Sequence, residues 1–360
     1  MKSIPISVVM SVFNGEAFLI EAIESILAQT FRDFEFVIVD DGSTDGTAEI
    51  LDRFAKEDER IRVLRHANKG RAESLNVGIG LATGEYIARM DADDIALQHR
   101  LEDQIVFMGQ HPEVGLLSGA YERFSSDGRA IDIVRPPLRD DEIRLMLLRT
   151  SAMCHPAVMM KRNIVLLSGG YRKALLDADD YDLWLRMSER TQLANLGQPI
   201  LRYRVHPKQS SIANSSHQAL CVLAARTASA MRRSGKPDPL TGVHRVTPQL
   251  LITLGVTKAE IQDSLLANYR EWQAVIGQND PEMVLTLIEG FLRSGSAGFV
   301  ERRVLADLWL KAADIHYSQR RMWRALFCAG RGLLVRPIVA GRPLKRAFTR
   351  RTEQRSELRR

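Results

Sequence analysis

Short apolar runs alternate with amphipathic segments over the first ninety residues. Ile6–Phe13, Phe34–Val39, Ile61–Leu64 and Tyr86–Met90 are rich in apolar and β-branched residues, and the segments between them carry apolar residues at helical spacing. Uninterrupted apolar strands are typical of a parallel sheet that is covered on both faces. Strands that alternate with helices of about ten to fifteen residues indicate βαβ units. The pattern therefore predicts an α/β fold with a mainly parallel central sheet flanked by helices.

Acidic residues follow two of these predicted strands. Asp40 and Asp41 end the second strand, and Asp91, Asp93 and Asp94 follow the fourth. Ligands of open α/β sheets bind beyond the carboxyl ends of the strands, so these acids are expected at one edge of the sheet. Carboxylates held together repel one another unless a cation or a bound donor offsets their charge, and Mn²⁺ or Mg²⁺ suits carboxylate oxygens. An acidic turn in which Asp94 caps the next helix is the structural alternative.

Glycine-rich phosphate-binding motifs are missing from the chain. No G-x-G-x-x-G follows the first strand, and no G-x-x-x-x-G-K-S/T occurs. The phosphates of a bound nucleotide would then need a metal ion, because no glycine loop is available to hold them.

A third acidic group opens a predicted helix in the second half of the domain. Asp177, Asp179, Asp180 and Asp182 stand at its first turn. Negative charge is favoured at a helix N-terminus, which offers a purely structural explanation. Four acids in six residues exceed what capping needs, so a functional role is the alternative.

Strand patterns stop near residue 216. Helices are predicted at Gln218–Met231, Ala259–Val275, Pro281–Arg293 and Glu301–Leu334, with a linker at Ser234–Thr247. We therefore expect one α/β domain at 1–215, ending in a short strand and His206, and a mostly helical region at 216–360.

Composition narrows the class of protein. With 45% hydrophobic and 26% charged residues, the 360-residue chain is of ordinary globular composition. No uninterrupted run of apolar residues approaches the length that a membrane span needs, and no signal-peptide h-region follows Met1. The three cysteines are few and far apart, which favours a reducing compartment. A cytoplasmic location is expected.

Positive charge is concentrated at the C-terminus. From Gly341 to Arg360 there are eight Lys or Arg and two Glu, which equals the +6 of the whole chain. The rest is close to neutral, so a nucleic-acid partner is not expected. Together with apolar residues from Met322 onward, the basic end could dock on an anionic membrane surface, such as the inner face of the plasma membrane. A solvated, mobile end is the alternative.

The order of motifs over roughly residues 4–212 resembles that of family 2 glycosyltransferases of the inverting GT-A type. The resemblance is carried by SVVMSVFNGEAFLIEAIESILAQT, FVIVDDGSTDGT, NKGRAESLNVGIGLATGEYIARMDADD, RLEDQ, HPAVMMKR, GGY, DADDYDLWLRM and YRVHPKQSS. Membrane spans and a Q-x-x-R-W motif, which processive members of the family carry, are missing here. The resemblance is thus to the non-processive type.

The resemblance implies roles for residues that would bind the donor. Phe13 would line the base pocket, Asp41 would accept a hydrogen bond from the base with Asp40 beside it, and Arg71 would lie near the donor. Asp91 would lie near the ribose or a metal-bound water.

It also implies a metal site and a catalytic base. Asp91 and Asp93 form the D-x-D pair, with Asp93 the more direct ligand, and His206 matches a position that completes the metal site in some relatives. Asp180 matches the general base. Asp179 stands where glutamate is more usual, and it is the alternative to Asp180 as base and a candidate for acceptor or phosphate contact.

His155 is a further candidate for contact with the acceptor or the diphosphate. The alternative is a buried histidine with a structural role. The same alternative holds for His206, which could be a surface histidine before Pro207.

The resemblance implies a metal-dependent, inverting transfer of one sugar from a nucleotide donor, with a UDP-sugar as the first expectation. The acceptor would be a saccharide or lipid-linked saccharide in cell-surface polysaccharide or lipopolysaccharide synthesis. Two alternatives stay open: a sugar nucleotidyltransferase, which would need a glycine-rich basic loop after the first strand, and a non-catalytic saccharide-binding protein.

Overall fold

The computed structural model describes residues 5–206, 209, 212, 214–276, 280–293 and 299–336. The basic stretch from Gly341 to Arg360 lies outside the described residues. The described residues fall into two compact units. The first comprises residues up to His206 together with Cys221–Thr247, and the second comprises the described parts of 207–220 and 248–336.

One sheet forms the centre of the first unit. Its strands are β1 Ile6–Val12, β2 Phe34–Asp40, β3 Ile61–Arg65, β4 Tyr86–Met90, β5 Ile95–Ala96, β6 Val114–Ser125, β7 Ala130–Val134, β8 Met159–Lys161 and β9 Gln192–Val205. They run in the order β3-β2-β1-β4-β8-β6-β9-β5, and β7 pairs with β6. The pairs among β3, β2, β1 and β4 are parallel, as is β6 with β9, whereas β8 and β5 are antiparallel to their neighbours.

Helices pack against the sheet in the first unit, and helices also form the described part of the chain after β9. In the first unit they are α1 Leu19–Leu27, α2 Thr47–Glu57, α3 Arg71–Leu81, α4 Arg100–Gln110, α5 Asp140–Leu147, α6 Arg162–Leu167 and α7 Asp179–Ser188. Among the described residues after β9 all regular elements are helical: α8 Ser215–Arg233, α9 Pro248–Thr253, α10 Lys258–Ile276, α11 Pro281–Arg293, α12 Arg302–Ser318 and α13 Met322–Val335. Within this described part of the chain, no helix is both long and apolar enough to cross a bilayer.

Burial follows the apolar pattern of the sequence. Every residue of β2 is buried, and α1 turns Leu19, Ala22, Ile23 and Ile26 toward the sheet. Each fully buried aliphatic side chain of this kind contributes about 1.5–3 kcal/mol relative to exposure. The apolar pattern thus selects the α/β arrangement through burial on both faces of the central strands.

The predicted fold class is confirmed, with local corrections. Asp94 does not cap the next helix, because β5 intervenes and α4 begins at Arg100 after His99. The segment predicted as one helix from Glu301 to Leu334 is two helices, α12 and α13, which are separated by a turn with Arg320 at φ +60°. The predicted boundary between residues 215 and 216 falls at the start of α8.

Register brings the strand ends to one edge. Val12 of β1 pairs with Asp40 of β2, and Met10 pairs with Met90 of β4. The residues that follow these strands, Asp41 and Asp91 among them, therefore leave the sheet on the same side.

Candidate active site

Three carboxylates form a cluster directly after β4. Asp91, Asp93 and Asp94 each offer an oxygen, and these oxygens all lie within 4.8 Å of one another. Asp94 is buried, and its Oδ2 has no hydrogen-bond partner among the described residues. A buried carboxylate oxygen without a donor is costly, which makes this oxygen available to a cation.

The end of β9 holds this cluster in place. The Arg204 amide donates to Asp94 Oδ1 at 2.8 Å, and the Arg204 Nε donates to the Asp93 carbonyl oxygen at 2.8 Å. Two residues further on, His206 places its Nε2 3.0 Å from Asp93 Oδ2. The guanidinium of Arg204 also lies over the Phe18 ring, 4.4 Å from its centroid. Residues 110 positions apart in sequence are thus joined into one site.

Burial and mutual repulsion raise the pKa values of two carboxyl groups in this cluster. Burial raises the pKa of Asp91, while the nearby Arg89 opposes the rise. Burial, then the charges of Asp93 and Asp91, raise the pKa of Asp94 well above its usual range. A divalent cation would lower both values by offsetting the charge. Asp91, Asp93 and Asp94 with His206 therefore fit a divalent metal, and Asp94 adds a possible ligand beyond the predicted set.

Arg89 lies beneath this cluster. It is buried on β4 with about 1% of its surface exposed, and its Nη1 lies 2.5 Å from Asp91 Oδ1. Its Nε and Nη2 have no hydrogen-bond partner among the described residues. A buried cation is favourable only beside negative charge, so Arg89 is held here by the acids around it.

The predicted donor-binding acids anchor neighbouring loops. Asp41 is buried and accepts from the Lys69 amide at 2.7 Å and from the Gly70 amide at 2.9 Å. Asp40 accepts from the Ser43 amide at 2.9 Å. Asp41 thereby sets the start of α3, because Gly70 is its N-cap and Arg71 is its first residue.

Phe13 stands at the end of β1 with half of its surface exposed. The following turn is tied to the loop after β2, since the Asn14 amide donates to Ser43 Oγ at 2.9 Å and Asn14 Oδ1 accepts from the Thr44 amide at 2.8 Å. An exposed aromatic ring on an anchored turn is suited to contact a flat base.

Arg71 is paired with the start of α7. Its Nη2 donates to Asp179 Oδ1 at 2.6 Å. Burial alone would lower the pKa of Arg71, but the charges of Asp179, Asp91 and Asp180 outweigh it and raise the pKa. Carboxylates from two distant parts of the sequence therefore act on one guanidinium.

Asp180 differs from Asp179 in its surroundings, because Asp179 is paired with Arg71 whereas Asp180 has a raised pKa. Burial, then the charge of Asp179, raises its pKa to about 6, while Arg71 opposes the shift. Its Oδ1 accepts only from the Tyr181 amide, at 2.7 Å, among the hydrogen bonds that the structure assigns to it. A carboxylate with a pKa near the working pH is suited to act as a general base.

His155 is buried against other side chains. Its Nε2 lies 2.9 Å from Tyr171 Oη, and its ring makes an edge contact with Trp184 at 6.0 Å. Burial, with the charges of Arg89 and Arg71, lowers its pKa well below the usual range, so the imidazole is neutral. Its proposed contact with acceptor or diphosphate stays a prediction.

Sequence patterns pointed to most of these residues but missed several. Asp94 as a ligand, Arg89, Arg204 and Tyr171 were not predicted. A charged residue inside an otherwise apolar strand was the available signal for Arg89. No local signal marked Arg204, because its role depends on the pairing of β9 with β5.

Known proteins resemble this chain over somewhat more than half of its length. The family model for glycosyl transferase family 2 matches residues 7–166. The chain is 30% identical to the O-antigen biosynthesis glycosyltransferase WbnJ of Escherichia coli, over 57% of this chain and 81% of WbnJ. The chain belongs to glycosyl transferase family 2. This glycosyltransferase is also 35% identical to the putative glycosyltransferase EpsE of Bacillus subtilis, over 51% of this chain and 66% of EpsE.

Solved structures support the GT-A fold of this glycosyltransferase. TarS from S. aureus in complex with UDP-GlcNAc matches with a TM-score of 0.53 at 16% identity, covering 91% of this chain and 90% of that one. The mannosyltransferase PcManGT from Pyrobaculum calidifontis, in complex with GDP-Man and Mn²⁺, matches with a TM-score of 0.50 at 19% identity, covering 91% and 86%. At such identities the likeness concerns the fold alone.

Proposed function

We propose that this glycosyltransferase transfers one sugar, with inversion, from a nucleoside-diphosphate donor in a metal-dependent reaction. The observation that carries the proposal is the grouping of Asp91, Asp93 and Asp94, whose oxygens lie within 4.8 Å of one another, with Asp180 close enough to act with Asp91 on the charge of Arg71. The proposed displacement needs a cation site for the leaving diphosphate and a base for the acceptor hydroxyl. Solved relatives with UDP-GlcNAc, and with GDP-Man and Mn²⁺, support a nucleotide-sugar donor.

The residues would divide the work as follows. Asp93, Asp91 and His206, with Asp94 added, would hold the cation, which would offset the charge that develops on the leaving diphosphate. Phe13 would contact the base of the nucleotide. Asp41 would help to position the nucleotide through the loop before α3, whose Lys69 amide donates to the Asp41 carboxylate. Asp40 would support the adjacent turn through its bond from the Ser43 amide.

Asp180 would take the proton of the acceptor hydroxyl as that oxygen attacks the sugar. Its pKa of about 6 leaves it mostly ionised at neutral pH yet basic enough to accept a proton. Asp179 is fully buried and bound to Arg71, which supports Asp180 over Asp179 as the base. Arg71 would contact the donor from the side opposite its ion pair.

The acceptor is proposed to be a saccharide or lipid-linked saccharide in cell-surface polysaccharide synthesis. The match to an O-antigen biosynthesis glycosyltransferase supports this choice. A UDP-sugar is the first donor to test, and peripheral contact with a membrane through the basic C-terminus is part of the same proposal. The family assignment disfavours the nucleotidyltransferase alternative.

The test is a panel of nucleotide sugars, each measured for thermal stabilisation with Mn²⁺ and with EDTA. A productive donor should stabilise the protein only with metal, and transfer or slow hydrolysis of that donor should follow. Metal-dependent binding without any turnover would instead support the non-catalytic saccharide-binding alternative. Equal stabilisation with and without metal would contradict metal dependence.

A further inference from the structure

Helix α13 exposes an apolar face to solvent on the side away from its buried residues. Trp323, Leu326, Phe327 and Leu334 are 86%, 60%, 63% and 79% exposed, and we call them the apolar face of α13. Their spacing of three, four and seven residues places them on one side of the helix. Single exposed apolar residues are ordinary, but four on one helical face mark an interaction surface.

The opposite side of α13 is already occupied. Ala325, Cys328 and Gly332 are its buried residues. A side chain at Gly332 would approach the Ala306 carbonyl oxygen of α12 to 3.3 Å, so the two helices pack closely there. Phe327 makes only an edge contact with Trp309, at 6.1 Å between ring centroids. The apolar face therefore points away from the core of its own unit.

The side chains of α13 and of the turn before it carry charge of one sign. Residues 320–336 contain five arginines and no acidic residue. An open depression of about 610 Å³ at the start of α13 is lined by Arg320, Arg321, Met322, Trp323 and Arg324. Arg321 is paired with Glu282 at 2.6 Å, which leaves the other two guanidinium groups to set the charge of the depression. Two copies of such a face would repel each other, since like charges would meet across the interface.

We propose that the apolar face of α13 docks the protein on an anionic phospholipid surface. The indole and aliphatic side chains would enter the boundary between headgroups and acyl chains, where tryptophan is favoured, and the arginines would contact lipid phosphates. This inference rests on the membrane contact proposed above and deepens it, because it assigns the contact to the exposed side chains of one helix and not to the basic tail alone.

The test is co-sedimentation of the full chain with vesicles of phosphatidylglycerol mixed with phosphatidylcholine, and with vesicles of phosphatidylcholine alone. We expect binding to the anionic vesicles only, weakening as salt is added. Trp323→Gln combined with Leu334→Gln should weaken binding by roughly tenfold or more. Arg324→Gln should weaken it by roughly fivefold. Leu145→Gln is the matched control, since Leu145 is 66% exposed on α5, and it should bind as the wild type does.

A second readout assigns the contact to the helix. Tryptophan fluorescence should be quenched by lipids with brominated acyl chains, and Trp323→Phe should remove most of that quenching while the thermal transition stays unchanged. The proposal is overturned if the Trp323→Gln, Leu334→Gln variant binds as tightly as the wild type, because the tail alone would then suffice. A wild-type dimer that this variant makes monomeric, with no vesicle binding, would overturn it in favour of a second copy. Vesicle binding needs no donor, so either result leaves the proposed transfer reaction standing.

Discussion

Arg71 Nη2 donates to Asp179 Oδ1 over 2.6 Å, joining the first residue of α3 to the first residue of α7. Asp179 is fully buried, while Arg71 keeps 29% of its side chain exposed. One end of the guanidinium is therefore fixed by a buried carboxylate, and the exposed part is available to a ligand. The pair also distinguishes two adjacent acids, because Asp179 forms an ion pair with Arg71 and Asp180 does not.

Breaking the pair from one side should be costly. Arg71→Met leaves a buried carboxylate without its cation, so we expect a loss of about 3–5 kcal/mol in the free energy of unfolding. In the double variant Arg71→Met, Asp179→Asn the loss should be smaller than the sum of the single losses, since the second change removes the unpaired charge. Urea unfolding of the four proteins measures this coupling, and simple additivity would contradict it.

Asp180→Asn should abolish transfer while leaving the donor bound. Loss of a general base lowers the rate by about 10²–10⁴-fold. The rate constant for transfer and the donor-induced thermal shift measure the two effects separately. Asp141→Asn is the control, since Asp141 is an exposed acid on α5, and it should change neither quantity. Unchanged transfer by Asp180→Asn would remove Asp180 from the mechanism.

The pKa of Asp180 predicts two opposite pH effects. The base must be ionised, so the wild-type transfer rate should rise with pH through about 6. A carboxyl group whose pKa is raised in the folded state favours folding most at low pH, and this contribution is lost as pH rises toward the folded pKa. Asp180→Asn should therefore raise the free energy of unfolding at neutral pH by on the order of 1 kcal/mol, a value reduced for partial exposure. Thermal unfolding of the wild type and of Asp180→Asn, at acid and at neutral pH, measures this difference in stability.

Divalent metal should stabilise the protein through the cluster after β4. At a concentration of about 100 times the dissociation constant, Mn²⁺ should add about 2.7 kcal/mol. The gain should shrink at acid pH, because the raised pKa values of Asp91 and Asp94 mean that protons compete with the metal. Asp93→Asn should remove most of the gain and EDTA should reverse it. The same shift in Asp93→Asn as in the wild type would place the metal elsewhere.

Asp41→Asn should loosen the loop before α3. One carboxylate oxygen becomes an amide NH₂ group that faces a backbone donor, so at least one of the bonds from Lys69 and Gly70 is lost. We expect a loss of about 1–3 kcal/mol in stability and weaker donor binding. Asp45→Asn is a comparison at a nearby loop acid, which accepts from the Thr47 hydroxyl at the start of α2 and from the Glu16 amide in the turn after β1. Equal effects of the two changes would argue against a donor-side role for Asp41.

The buried charge of Arg89 should influence metal binding at the cluster after β4. Arg89→Met removes the cation beside Asp91, which should raise the pKa of Asp91 and, because the guanidinium no longer repels a dication or occupies Asp91 Oδ1, tighten binding of Mn²⁺ at neutral pH. Arg89→Lys should return the metal affinity toward the wild-type value, because the charge returns without the planar guanidinium. Calorimetric titration with Mn²⁺ compares the three proteins. If both variants bound metal equally well, the charge of Arg89 would not matter to the site.

The sequence by itself determined the layers of the fold and which acidic residues to expect at one edge of the sheet. Apolar runs such as Phe34–Val39 could be buried in few other ways, and polar residues that follow parallel strands must meet at one edge. The sequence therefore predicts Asp41 and Asp91 at this edge from the strand ends they follow, and Asp180 from the order of motifs that resembles the family.

Only the tertiary structure decided which of these residues contact one another. The pairing of Arg71 with Asp179, the unpartnered Oδ2 of Asp94 and the clamp by Arg204 depend on contacts between residues about 110 positions apart. The exposed face of α13 likewise needed the turn at Arg320, which splits one apparent helix into two. Such features escape local patterns because burial and long-range pairing, and not residue type alone, set which charges meet and which apolar faces stay open to solvent.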